Sequence, residues 1–257
     1  MFSHLQFLLN RRYEVNRFVR FFLIAILPFL STSAFSFTLQ PMFSHLDPSG
    51  IGSIKNFEIL NEGADILAVR LLILTRSTGP DGKEINKDAS DLFNIYPRRV
   101  IVEPNSGASV KVQWKGSTTL SSEQSFRLMA ENISLESVDS DSSGIKVMFR
   151  YGASVYVGDE TFKEELLCIV TGGTNPKNDK GFHLVITNLG TKHVIAENLI
   201  IYVTLSVGNE LLFKGEELKL ISGANYLPGS VFKIFIPHSQ AEIGKSYVSR
   251  MTFNSEY

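Results

Sequence analysis

"IKVMFRYGASVYV", residues 145–157, sets Ile145, Val147, Phe149, Tyr151, Ala153, Val155 and Val157 at alternate positions, with Lys146, Met148, Arg150, Gly152, Ser154 and Tyr156 between them. Side chains of an extended chain point alternately to opposite faces, so the pattern predicts a β-strand with one apolar face. At about 3.3 Å per residue the run would extend about 40 Å, around twice an ordinary strand. Such a strand outruns the sheet of a small sandwich, which leaves the second half of its apolar face for something other than its own core. A bulge at Gly152 is a further reading, in which the face switches and Val155 and Val157 return to the home core.

Outward from this stretch the chain is β throughout. From Phe37 onward the apolar runs are short, rich in β-branched and aromatic residues, and separated by Gly, Pro, Asn, Asp and Ser. A first set reads FTLQPMFSHL, GSIKNFEIL, ILAVRLLILTR, LFNIYPRRVIV, SVKVQW, SFRLMAENI and the opening stretch, with turn signals NEGAD, GPDGK, EPNSGA and DSDSSG between them. Near GDETFK the pattern resets to ELLCIV, GFHLVITNLG, NLIIYVTLSV, ELLFK, ELKLI, SVFKIFIP and SYVSRMTF. The expected fold is all-β: two immunoglobulin-like β-sandwich domains, 37–158 and 159–257, joined by a short linker around residues 158–163.

Residues 1–36 stand apart from that fold. Arg11, Arg12, Arg17 and Arg20 precede the apolar run FFLIAILPFL and the small residues of STSAFS, the pattern of a secretory signal cleaved after Ser36. The apolar run falls short of the roughly 20 residues of a spanning helix, so no stable membrane insertion is expected. The remaining chain carries 21 basic and 25 acidic side chains, a net charge of −4, which predicts no nucleic-acid partner. Cys168 is the one cysteine, so an exported chain would have no internal disulfide, and within EELLCIV it reads as a small core residue.

No catalytic pattern emerges. The sequence lacks G-x-S-x-G, H-E-x-x-H and C-x-x-C, and GGTNPKNDKG, without Walker spacing, reads as a hairpin loop. His45, His183, His193 and His238 have no partner at ligand spacing, so neither a metal nor any other cofactor is expected. A non-enzymatic protein is the expectation.

Several stretches taken in order, FTLQPMFSHLDPSG, FEILNEGADILAVRLLI, IYPRRVIVEPNSGASVKVQWKG, SFRLMAENI and IKVMFRYGASVYV, resemble the PapD-like periplasmic chaperones that assemble pili through an outer-membrane usher. VIVEPNSGASVKVQW resembles that family's "PG" turn and alternating strand, with Asn105 and Ser106 intervening before Gly107. SFRLMAEN followed by FRYGASVYV is most similar to the divergent archaic or alternate branch.

The resemblance implies a mechanism. The long last strand of the first domain inserts into an incomplete pilin subunit, giving its open edge ladder partners and filling its groove with alternate apolar side chains; chaperone–pilin pairing is a known case of β-augmentation. Carried over by position, Ile145, Val147, Phe149 and Tyr151 are the groove-filling residues, and burying four such side chains would contribute on the order of 6–10 kcal/mol before association costs. The better-known branch holds the pilin's terminal carboxylate with an Arg and a Lys; His45 and Ser154 stand at those places here. A guanidinium fork suits a carboxylate, so Arg127 and Arg150 are the candidate anchors, with Arg98 behind them.

Two other classes compete. One is a structural or adhesive fibre subunit, which would expose a detachable N-terminal donor segment where FTLQPMF reads as a domain's own first strand. The other is an exported hydrolase with acidic residues paired across a cleft.

Overall fold

Two prolines organise the first sandwich. The computed structural model describes residues 37–79, 82–133 and 148–255; the stretch expected to be an export signal, 1–36, and the residues Ile145 and Val147 fall outside the described residues. FTLQPMFSHL, expected as one strand, divides at Pro41 into β1 (Phe37–Gln40) and β2 (Phe43–Leu46), which belong to different sheets. After β3 (Ile54–Asn61), β4 (Leu67–Thr75) and the small β5 (Ser77–Thr78) and β6 (Glu84–Ile85), the run LFNIYPRRVIV divides in the same way at Pro97, into β7 (Phe93–Tyr96) and β8 (Arg99–Val102). Proline has no N–H to continue a ladder, so each run changes sheet there. β9 (Ser106–Trp114), β10 (Gln124–Asn132) and β11 (Arg150–Val157) complete the unit.

One layer has the order β1-β3-β9-β7 and the other β2-β11-β10-β4-β8. Their inner faces meet through Phe37, Leu39, Phe57, Ile59, Val110 and Val112 on one side and Val69, Leu71, Ile73, Phe126, Leu128, Ala153 and Val155 on the other, none more than 2% exposed. Phe93 packs edge-on to both Trp114 and Phe126, with centroids 5.2 and 4.8 Å away. In the EPNSGA turn, Asn105 takes φ 52°, a left-handed conformation that asparagine tolerates better than most residues.

The second sandwich comprises β12 (Leu166–Thr174), β13 (Lys180–Asn188), β14 (Val194–Ser206), β15 (Asn209–Phe213), β16 (Asn225–Tyr226), β17 (Val231–Pro237) and β18 (Ser246–Ser255). β18 pairs with β12 at Ser246 and Tyr247 and with β14 from Val248 onward, so one strand serves both layers and the sheet curls around its core. GGTNPKNDKG is the β12–β13 hairpin, closed by the Asn175 N–H to the Asp179 carbonyl at 3.0 Å. ELKLI, expected as a strand, instead continues a 3-10 turn at Gly215–Leu218. Leu218 and Ile221 are both buried and three residues apart, a spacing that a tight helical turn brings to one side.

Both sandwiches share one buried device. Asn61 in NEG donates to the carbonyls of Asp65 and Val102 while its Oδ1 accepts from Gly63 N–H. Asn188 in NLG does the same with Lys192, Tyr226 and Gly190. Among the described residues no helix is long and apolar enough to cross a membrane.

Candidate functional site

β11 is covered on one side along its whole length and on the other along half. Its antiparallel register with β10 runs unbroken from Gln124 opposite Val157 to Glu131 opposite Arg150. There is therefore no bulge at Gly152; the missing side chain instead makes room for Met129, whose Sδ lies 3.0 Å from where a Cβ would sit. On the opposite side β2 pairs in parallel with Ser154–Val157 only, beginning with Ser154 N–H to the Met42 carbonyl at 2.8 Å. Upstream of Met42 the chain turns through Pro41 into the other sheet. Along Arg150–Ala153, then, no strand is paired on that side among the described residues. Backbone groups alternate in direction along a strand, so Gly152 and Arg150 aim theirs the same way as Ser154, toward this open side.

The apolar face of β11 grades from sealed to marginal. Ala153, Val155 and Val157 are fully buried in the first core, whereas Tyr151 and Phe149 are half-buried at its margin. Tyr151 meets Phe37 of β1 edge-on at 4.7 Å. β11 begins at Arg150, and one residue before it the Asn132 N–H donates to the Phe149 carbonyl at 3.1 Å while the Phe149 N–H donates to the Asn132 side-chain Oδ1 at 2.8 Å.

The other face of β11 looks out of the sandwich and carries charge at two places. At its start, Arg150 Nη2 lies 2.6 Å from Glu131 Oε1, and Arg70 Nη2 of β4 lies 2.7 Å from the other oxygen. Near its middle, the Arg127 fork grips Glu84, with Nε 3.0 Å from Oε1 and Nη2 2.8 Å from Oε2. Arg76, just beyond β4, brings its Nε to 2.6 Å from the same Glu84 Oε2. Ser154 Oγ accepts from Arg127 Nη1 at 2.7 Å, which ties this cluster to β11. Burial alone would raise the Glu84 pKa, but the hydrogen bonds and charges of Arg127 and Arg76 outweigh it and hold the carboxyl at about 2. Half-buried Leu72, Leu74 and Met129 lie between the two clusters.

From Ser154 the strand leads into the junction with the second sandwich. The Tyr156 hydroxyl receives Asn225 Nδ2 at 2.6 Å and Arg76 Nη1 at 3.2 Å. Its ring stacks flat on His193, 3.7 Å between centroids, with His45 stacked at 5.2 Å. His193 is fully buried and its Nδ1 lies 2.6 Å from Glu123. Burial, followed by the charge of His193, lowers the His45 pKa. Beside the junction, a cleft of about 390 Å³ is lined by Arg76, Glu123 and Ser125 from one sandwich and Leu227, Pro228 and Ser230 from the other.

Of the arginines singled out in the sequence, Arg127 stands in the Glu84 cluster, Arg150 is at the other end of β11 with Glu131, and Arg98 is exposed. Arg76 escaped the sequence reading because it closes the apolar run ILAVRLLILTR and looks like an ordinary polar stop. The β4–β10 register, with Thr75 opposite Phe126 and Leu74 opposite Arg127, sets Arg76 on the same outward face as Arg127. That signal requires knowing which strands are neighbours.

No family model matches the sequence, and no curated protein matches it. Its fold, however, is similar to solved structures of fimbrial chaperones. The Class 5 fimbriae chaperone CfaA is 14% identical over 85% of this chain and 100% of its own, with a TM-score of 0.54. A chain from the complex of Salmonella enterica SafA pilin with the SafB chaperone is 11% identical over 87% of this chain and 99% of its own, at 0.51. The E. coli chaperone DraB is 12% identical over 85% and 96% of the two chains, at 0.50. The chain therefore has the two-sandwich fold of the fimbrial chaperones.

Proposed function

We propose that this protein is a non-enzymatic periplasmic chaperone that holds fimbrial subunits by lending them β11, and that delivers them to an outer-membrane usher. The observation that carries this reading is the open side of β11 along Arg150–Ala153. An unpaired strand edge is a template for another chain, and a subunit lacking its last strand supplies one. Ile145, Val147, Phe149 and Tyr151 are the side chains offered to the subunit's groove. The half-burial of Phe149 and Tyr151 supports this, since neither is locked into the middle of the home core.

Charge supports a direction of docking. A client strand lying on the open side in line with β2 must stop where β2 begins, opposite Ser154. If it runs parallel to β11 its carboxylate end arrives beside Arg127 and Arg76; if antiparallel, its amino end meets two guanidinium groups. The first is favoured, which makes Arg127 the anchor, aided by Arg76. Arg150 stands four residues away, about 13 Å along an extended strand. The fibre-subunit reading is less well supported, because Phe37 and Leu39 are buried in the first sandwich rather than detachable from it.

The test is Phe149→Asp. The variant should fold, by circular dichroism, and fail to co-purify with a co-expressed subunit from the periplasm. A folded variant that still captures the subunit would overturn the reading.

A further inference from the structure

We infer that Glu84 is a built-in occupant of a carboxylate site formed by Arg76, Arg127 and Ser154, and that a client's carboxylate binds by exchanging with it. This deepens the proposed function and rests on it.

The donor set is that of a carboxylate receptor. The planar Arg127 fork holds both Glu84 oxygens, Arg76 adds a third N–H, and Ser154 fixes the second arm of Arg127. Both cations are largely shielded, with Arg76 10% and Arg127 24% exposed, which strengthens their pull on an anion. Because two guanidinium groups share one carboxylate, the cluster keeps a surplus positive charge that attracts a second.

Receptor and occupant are held very differently. Arg127 sits in the middle of the long β10–β11 ladder, and the Arg76 N–H bonds the Ser125 carbonyl at 2.8 Å. Glu84 comes from β6, which pairs with β5 through two residues each, apart from both main layers. Releasing its side chain disturbs neither layer of the sandwich. The site is also within reach of the open edge, for Ser154 is two residues from Gly152 on the same outward face. A client carboxylate can engage the Arg127 fork only when Glu84 lets go, so Glu84 weakens the hold on every client by the strength of its own pairing. It thereby keeps the arginines oriented while the site is empty and eases release.

The probe is an N-acetylated decapeptide of alternating valine and serine, made with a free carboxylate terminus and as the amide, and titrated calorimetrically against wild type, Glu84→Gln and Arg127→Ala. Glu84→Gln should bind the free acid about tenfold more tightly than wild type, the effect of one lost charge-assisted competitor, with the amide unchanged. In wild type, saturation with the free acid should move the titration of the Glu84 carboxyl carbon, followed by NMR, up from about 2 toward its ordinary value of 4.5. If Glu84→Gln gains nothing while Arg127→Ala loses the preference for acid over amide, exchange is overturned and the arginine anchor stands. If no form of the protein distinguishes acid from amide, both the exchange and the anchor fall.

Discussion

Two carboxylates on the outer face of one sheet are each gripped by two arginines, yet they are built for different ends. Glu131 lies within β10, its side chain 3% exposed, with Arg70 and Arg150 reaching over it from the neighbouring strands. Glu84 is 29% exposed on a two-residue strand outside both layers, and there the arginines are the deeper partners. In the first cluster the anion is fixed and the cations, 45% and 57% exposed, are peripheral. In the second the cations are fixed and the anion is peripheral. Burial thus separates a carboxylate that holds strands together from one that occupies a place another carboxylate can take.

Stability measurements can break this comparison. Glu131→Ala removes two charge-assisted pairs and leaves a void, while Arg70 and Arg150 can turn to water, so the loss should be about 2–3 kcal/mol. Glu84→Ala should cost less, about 1–2 kcal/mol: Arg76 and Arg127 lose the anion they share, but the side chain removed is partly exposed and belongs to neither layer. Urea unfolding monitored by tryptophan fluorescence reads both as midpoint shifts at constant slope. Equal losses would mean that Glu84 is as structural as Glu131. Smaller still is Tyr156→Phe, which deletes the hydroxyl shared by Arg76 and Asn225 and should cost about 1 kcal/mol. Because Asn225 belongs to the second sandwich, the same variant should increase hydrogen exchange at β16 more than at β3; a uniform change would deny that Tyr156 couples the arginine cluster to the junction.

How much of this was legible in the sequence follows the range of the interactions. Alternation from Tyr151 to Val157 marked β11 and its inward face, because side-chain direction is a property of the extended backbone itself. Splitting at Pro41 and Pro97 was less visible: a proline announces that a ladder ends, but not that the next residues join the opposite layer. Leu218 and Ile221 were mistaken for strand positions since, in a segment of five residues, a spacing of three competes poorly with alternation. The arginine pair was half legible. Arg127 was identified through family resemblance, whereas Arg76 and Glu84 are brought to it by strand adjacency and a side hairpin, 51 and 43 residues away in sequence. The histidines had no ligand spacing, and the contacts of His45 and His193 with Tyr156 join β2, β11 and the second sandwich, a juxtaposition that only tertiary structure creates.

The gentlest probe of the comparison is acid, because Glu84 and His45 titrate in separate windows. Both have folded pKa values below their ordinary ones, so each adds stability that is complete above its unfolded pKa and lost as pH falls. For His45, faced by His193, Glu123, Lys192 and Lys55, the loss begins as pH drops below about 6.5. For Glu84, it begins near 4.5 and continues to about 2. Glu84→Gln should therefore flatten the urea midpoint curve below pH 4.5 and leave the slope between pH 6.5 and 5 as in wild type, whereas His45→Phe should do the reverse. Identical pH curves for wild type and Glu84→Gln down to pH 2.5 would mean that the two arginines do not hold Glu84 ionised, and the distinction between a fixed and an exchangeable carboxylate would lose its electrostatic basis.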